Sequence, residues 1–462
     1  MLKERKNLTE GSIIRSLWAL SFPVVLANLL QTAYNLTDTF WVGRLGQEAI
    51  ASVSISFPIL FLMISFGGGL SMAGTILVAQ FAGRRESSRV DYVSAQTFLM
   101  LVMVSLILSV AGYCCSEPLV RLIGAEEAVA GEAVSYLRIS FLGLIFLFGF
   151  FVFQALLRGA GDVKTPMYIV LGTVILNLGL DPLFIFGFWR VPAMGVMGAA
   201  FATVATQGLA AITGLFVLFS GRYDIHLKIR NFRPDYALLR KIVKLGLPAS
   251  MEHFMMALGI MVLMFVVADF GTAVIASYGI GMRIFSFVII PAFGLSAATS
   301  TLVGQNIGAG RVDRAEKIAV VSAGAAFAAL TLVGLALFIL AEDIVGLFIP
   351  DNLQVIRMGG MFVRIMSLTF GFIGAKTVFG GAFSGSGNTL LSMMLGITYF
   401  WFMRLPAAYY LSNCTSLGEK GIWIAFPAAN VAGAFLAGIY FLKGTWKKRE
   451  IAGEFAPFIG EI

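Results

Sequence analysis

Residues 46–83 recur at 271–308 without a gap. Fifteen of the 38 paired positions are identical at a constant offset of 225, among them Gly46/Gly271, Ser52/Ser277, Gly69/Gly294, Leu70/Leu295, Gln80/Gln305 and Gly83/Gly308. The register extends beyond this run. Pro23 matches Pro248, and at offset 226 Arg138 matches Arg364, Gly159 matches Gly385 and Gly161 matches Gly387. Apolar helices share residues through composition, but such matches are scattered and do not keep Gly, Gln and Pro in one frame. The chain is therefore one unit of roughly 225 residues used twice, and its fold has to be built from two like halves.

The solvent of those halves follows from their polarity. The chain is 58% hydrophobic and 13% charged, with a mean hydropathy of +0.89, whereas soluble domains carry about a quarter charged residues. One soluble core does not bury so much apolar surface at this length. Apolar stretches long enough to span a bilayer lie at about 14–42, 50–80, 92–115, 131–157, 165–188, 194–219, 239–268, 274–305, 315–341, 357–383, 388–411 and 418–442, which is six in each half. The basic opening MLKERKNLTEGS leads into the first of these. That stretch is long and has a counterpart at 242–268, so it reads as a transmembrane helix and not as a removed signal.

The excess of Lys and Arg orients the spans. With both termini in the cytoplasm, the inner segments hold 23 of the 33 basic residues, including Lys3, Arg5, Lys6, Arg222 and Arg449, and the outer loops hold five. The pI of 9.4 then reflects a basic face toward anionic lipid, not nucleic acid. An even number of spans per repeat makes the two repeats parallel. Repeats of this kind are common in membrane transporters, with the substrate site at their interface. The expected fold is an all-α integral membrane protein: twelve transmembrane helices in two pseudo-symmetric six-helix bundles around a central cleft. Residues 1–219 form the N-terminal lobe, 220–238 a cytoplasmic linker and 239–462 the C-terminal lobe.

Symmetry supplies a scaffold, and departures from it mark specialisation. Asp38 lies four residues after Tyr34 in the first span, and Asp181 four after Asn177 in the fifth, so each pair shares a helix face. Their repeat partners are Leu263 for Asp38, Met403 for Asn177 and Ala407 for Asp181, and Thr203 pairs with Ala429. Carboxylate, amide and hydroxyl in the first half become apolar in the second. Asp38, Asn177, Asp181 and Thr203 fall at similar depth and form a hard-oxygen set suited to a small cation or to shared protons. Ionisable groups inside a membrane are costly and usually functional. Pro23 interrupts the first span and is a candidate bend.

The second half has Glu252 and His253 just after Pro248, a possible second-lobe site, and Lys376 where the first half has Phe150. Arg138 and Arg364 match each other and read as structural. The three cysteines and two histidines form no metal or disulfide pattern, and no nucleotide-binding or catalytic motif is present, so an enzyme is not expected.

Pro23…Tyr34…Asp38 in the first span, RGAGD (158–162), SGSGN (384–388) and Asn177-x-x-x-Asp181, in a twelve-span parallel repeat, resemble the multidrug and toxic compound extrusion (MATE) transporters. The resemblance covers nearly the whole chain and is strongest to the prokaryotic, DinF-like branch with its archaeal members. It implies a secondary active antiporter of the cell membrane, monomeric, that exports small cationic or amphiphilic drugs in exchange for H+ or Na+ and uses no other cofactor. It also implies roles. Asp38, Asn177, Asp181 and Thr203 would be the cation-coupling set, holding sodium where sodium is the ion; Tyr34, Tyr136 and Gln154 would line the cavity, and Pro23 would sit at the bend. The alternatives are a lipid-linked oligosaccharide flippase of the same superfamily, which the resemblance associates with extra spans and a cationic cavity, and a channel or receptor without exchange.

Overall fold

The computed structural model describes residues 8–221 and 225–448. The basic residues Lys3, Arg5, Lys6, Arg222 and Arg449 of the topology argument lie outside them. Within the described residues the regular secondary structure is helical, with isolated bridge positions such as Phe188 to Val191. Hydrocarbon offers backbone groups no hydrogen bonds, so each apolar stretch closes its own as a helix.

Among the described residues ten helices are long and apolar enough to cross a membrane, and counting each of two bent pairs as one span brings the number to 12. They are numbered in chain order: α1 (Ile13–Gly43), α2 (Gln47–Gly83), α3 (Ser87–Leu122), α4 (Glu127–Leu142 with Leu144–Ala160), α5 (Lys164–Phe186), α6 (Val196–Phe219), α7 (Tyr236–Ala268), α8 (Thr272–Gly308), α9 (Val312–Ile339), α10 (Leu353–Ser367 with Phe370–Gly385), α11 (Thr389–Asn413) and α12 (Glu419–Leu442). The all-α, multi-pass fold class expected from the sequence is the one observed. The breaks in α4 and α10 were not expected. They bend the chain by 47° at Gly143 and by 53° between Ser367 and Phe370, at places related by the repeat offset.

Among the described residues the chain forms two compact units, one of Leu26–Ser250 and one of Leu8–Val25 together with residues 251–448. In the first, α2 packs on α3 and α4, and α5 on α6. In the second, α8 packs on α9 and α10, and α11 on α12, the equivalent pairings. The division falls inside α1 and α7, just beyond Pro23 and Pro248.

Two repeat-related glycines seat these helix segments. In the first unit, a Cβ on Gly69 of α2 would collide with the backbone of Ser250, and one on Gly246 would come within 2.9 Å of the Leu70 Cα. Ser250 also donates its hydroxyl to the Phe66 carbonyl at 3.1 Å. In the second, a Cβ on Gly294 of α8 would collide with Val25 and lie 3.2 Å from the Ser21 carbonyl oxygen. Small residues let membrane helices approach to backbone contact, and this explains why Gly69 and Gly294 match. Gly69→Val and Gly294→Val are therefore expected to lower the melting temperature of the detergent-solubilised protein by several degrees, from about 1–3 kcal/mol of overpacking. Gly68→Val, where nothing lies within 4 Å of a Cβ, serves as the control and should melt with the wild type.

Candidate functional site

The first bundle gathers most of the expected residues. α1 carries Tyr34 and Asp38, α5 carries Asn177 and Asp181, α6 carries Thr203, and the first segment of α4 carries Tyr136. Asn177 and Asp181 are fully buried, and Tyr34 and Tyr136 are buried. One turn apart on α5, the Asn177 amide nitrogen donates to one Asp181 carboxylate oxygen at 2.7 Å. This bond consumes half of each side chain. The second Asp181 oxygen, the Asn177 carbonyl oxygen and one Asp38 oxygen are buried with no hydrogen-bond partner.

Three such oxygens are unusual, because a buried acceptor left unpaired costs about 1–3 kcal/mol and more if charged. Their chemistry is uniform. All are acceptors, two belong to carboxylates, and Asp38 and Asp181 are close enough to act on each other electrostatically. A proton or a small hard cation satisfies such a set. Among the described residues no three His, Cys, Asp or Glu side chains converge as a metal cluster would require.

Tyrosines wall this pocket. The Tyr34 hydroxyl is 2.9 Å from the Thr206 hydroxyl, which reaches the Ala202 and Thr203 carbonyls at 3.0 and 2.9 Å. Thr203 is half-buried and its side chain also bears on the Tyr34 phenol. Thr206 thus joins the site although the sequence reading stopped at Thr203; its signal was a second hydroxyl one turn further along the same helix. Tyr136 sits in a small apolar cluster with Val42, Ala49 and Ile185, within electrostatic reach of Asp38, Tyr34 and Asp181. Gln154 is half-buried on the second segment of α4, without a hydrogen bond to any of these groups. Pro23 is buried within α1, which continues through it.

In the second bundle the equivalent places are packed. Leu263, Ala429, Met403 and Ala407 lie in or against one apolar core with Tyr278, Phe362, Trp423 and Phe426. Glu252 stands away from it, accepting from the Ser392 hydroxyl at 3.0 Å, and its neighbour His253 is exposed. Arg364 pairs with Glu342 at 2.8 Å, and Arg138 lies over the Tyr113 ring.

Residues 23–183 and 248–410 each match the MatE family model, once per half, and together they cover more than half of the chain. The chain belongs to the MatE family. This MatE chain is similar to the "Probable multidrug resistance protein YpnP" of Bacillus subtilis (strain 168), 30% identical over 454 residues, 97% of this chain and 99% of that protein. It is also similar to a FAD transporter of Shewanella oneidensis, 26% identical over 433 residues, 93% of this chain and 94% of that one. A crystal structure of MATE in the bent conformation superposes with a TM-score of 0.90 at 25% identity, over 98% of this chain and all of the other. As a MatE protein the chain is a secondary active transporter of the multidrug efflux type, not an enzyme.

The Tyr34–Thr206 contact links α1 to α6 and is testable alone. Tyr34→Phe and Thr206→Val should each lower the melting temperature, and the double variant should lose less than the sum. A coupling of about 0.5–1.5 kcal/mol in this cycle, read by thermal melting in detergent, is the expected outcome.

Proposed function

We propose that this chain belongs to the DinF-like branch of the family and exports small cationic or amphiphilic compounds across the cell membrane, in exchange for protons or sodium ions bound in the first bundle. Asp38, Asn177, Asp181 and Thr203 form the coupling set, with Tyr34, Tyr136 and Gln154 along the cavity. The protein acts as a monomer with both termini in the cytoplasm. The observation that carries the reading is the trio of buried, unpartnered oxygens on Asp38, Asn177 and Asp181.

The mechanism follows from solvation. With both carboxylates charged inside the bundle, the packing around α1, α5 and α6 is strained electrostatically and attracts a cationic compound. A proton or sodium ion taken up from outside neutralises the set, removes that attraction and lets α1 repack at Pro23, so the compound leaves outward. Ion and drug must stabilise different packings, because a ligand indifferent to the two states shifts nothing. Similar MATE structures in a straight and in a bent conformation support a protein that changes shape.

Asp38→Asn and Asp181→Asn keep the shape and remove the charge. Both should abolish ion-dependent dye efflux from everted vesicles while leaving the protein folded. Glu252→Gln should cost less than either, and conservative apolar changes at Leu263, Met403 or Ala407 should leave ion dependence intact. Complete loss in Glu252→Gln beside a mild effect in Asp38→Asn would move the ion site to the second bundle. Pro23→Ala should retain drug binding and lose efflux, measured across a pH series with and without sodium; unchanged efflux at every pH would leave Pro23 a static kink.

The flippase reading has one observation in its favour, the two cations Lys376 and Arg404 in the second bundle. The same vesicles separate the readings, since a flippase moves labelled lipid and an exporter moves dye.

A further inference from the structure

The second bundle contains charge that the coupling scheme does not use. Lys376, on the second segment of α10, is half-buried, and its Nζ sits 3.6 Å from the centroid of the Tyr399 ring. Arg404, on α11, is buried, with its guanidinium carbon 4.7 Å from the same ring, 5.2 Å from Phe400 and 4.3 Å from Phe426. Two cations thus share one aromatic ring. Neither lies within ion-pair distance of a carboxylate among the described residues. The same bundle shows what a structural cation looks like: Arg364 is paired with Glu342 at 2.8 Å.

We propose that Lys376 and Arg404 form a binding site for the anionic head group, phosphate or carboxylate, of an amphiphile. Cation–π contact offsets part of the cost of burying these charges but supplies no counter-charge. The remaining hydrogen-bond capacity points the same way. Arg404 donates from Nη2 to the Tyr399 hydroxyl and to Asn430 Oδ1, the latter at 3.1 Å. Tyr399 donates to that same Asn430 oxygen at 2.6 Å, and the Asn430 amide donates to the Thr369 hydroxyl at 3.0 Å. The network uses up its acceptors and leaves donors over. Among the described residues the Arg404 Nε and the Tyr278 hydroxyl are buried without partners, and the Lys376 ammonium finds no hydrogen-bond acceptor there. An anion is the ligand that takes up spare donors and compensates two like charges at once.

Local structure sets this geometry. Residues Thr398–Arg404 form a π-helical turn within α11, just ahead of Pro406, whose missing N–H and ring disturb the preceding turn. The wide turn brings Tyr399 and Arg404 to one side. On α12 a Cβ at Gly433 would come within 2.7 Å of the Tyr399 ring and 3.3 Å of the Lys376 stem, so the bare backbone there holds both in place. Glu252 is the acidic group acting electrostatically on Lys376. Its carboxylate is engaged by Ser392 and lies against the α11 backbone, where a Cβ at Gly396 would meet it at 2.8 Å. The charges are not part of the repeat scaffold, since the first half has Phe150 and Leu178 at the positions of Lys376 and Arg404.

The test is calorimetric titration of the full chain in non-ionic detergent with decyl phosphate, decyltrimethylammonium and inorganic phosphate. No ion gradient is involved, so the result does not depend on the exchange reaction. Lys376→Gln should weaken decyl phosphate by about tenfold or more, the scale of one lost hydrogen bond to a charged group, and leave decyltrimethylammonium within twofold. Lys376→Arg should retain most of the affinity, and Glu252→Gln should tighten decyl phosphate, the opposite sign. Inorganic phosphate binding that is lost in Lys376→Gln identifies a site for free anions; decyl phosphate binding alone identifies a lipid-like head group. Wild-type affinity in Lys376→Gln, equal losses for both amphiphiles, or no saturable decyl phosphate binding to the wild type would overturn the proposal.

Discussion

Hydrocarbon solvates no polar atom, so a group at membrane depth finds its partner inside the protein or goes without. Nearly everything distinctive in this chain follows from that constraint. Serine and threonine hydroxyls along the spans donate back to carbonyls in their own helices, as Thr32 does to Asn28 and Ser56 to Ser52. Helices meet through glycine where backbone lies against backbone. Against that background a buried oxygen or nitrogen with nothing to bind stands out, as the acceptors of Asp38, Asn177 and Asp181 do in the first bundle and the donors of Arg404 and Tyr278 in the second.

The repeat makes that division interpretable. A feature present in both halves serves the shared scaffold: Gly69 with Gly294, the bends in α4 and α10, the serines Ser52 and Ser277 that donate to the Val129 carbonyl of α4 and the Val355 carbonyl of α10. A feature present in one half serves something the scaffold does not need. By that criterion Asp38, Asn177 and Asp181 are specialised, because Leu263, Met403 and Ala407 fill their places with core. Lys376 and Arg404 are specialised in the reverse sense, as charges opposite Phe150 and Leu178.

The spans were legible in the sequence because burial in lipid writes itself as long uncharged runs, and the repeat was legible because close packing tolerates few substitutes for glycine. Asp38 and Asp181 were legible because a carboxylate in such a run has no structural excuse. The breaks in α4 and α10 were hidden, since a bend at Gly143 leaves the hydropathy of the stretch unchanged. Thr206 was overlooked because hydroxyls are cheap in membrane helices and give no contrast. The Tyr399–Arg404 arrangement depends on a π-helical turn, which moves residues off the ordinary helical face and defeats any reading based on a period of 3.6.

The glycine contacts at α2 and α8 bear on how such a chain arises. Gly69 receives Ser250, which the second half encodes, and Gly294 receives Ser21 and Val25, which the first half encodes. A half-length chain ending at the linker would carry an α1 segment with no seat and a seat with no segment. Two copies of it could complete each other only by exchanging those segments, as in a domain-swapped dimer. Duplication and fusion of such a gene would make that exchange intramolecular, and it would leave two halves that cannot be separated into independent proteins.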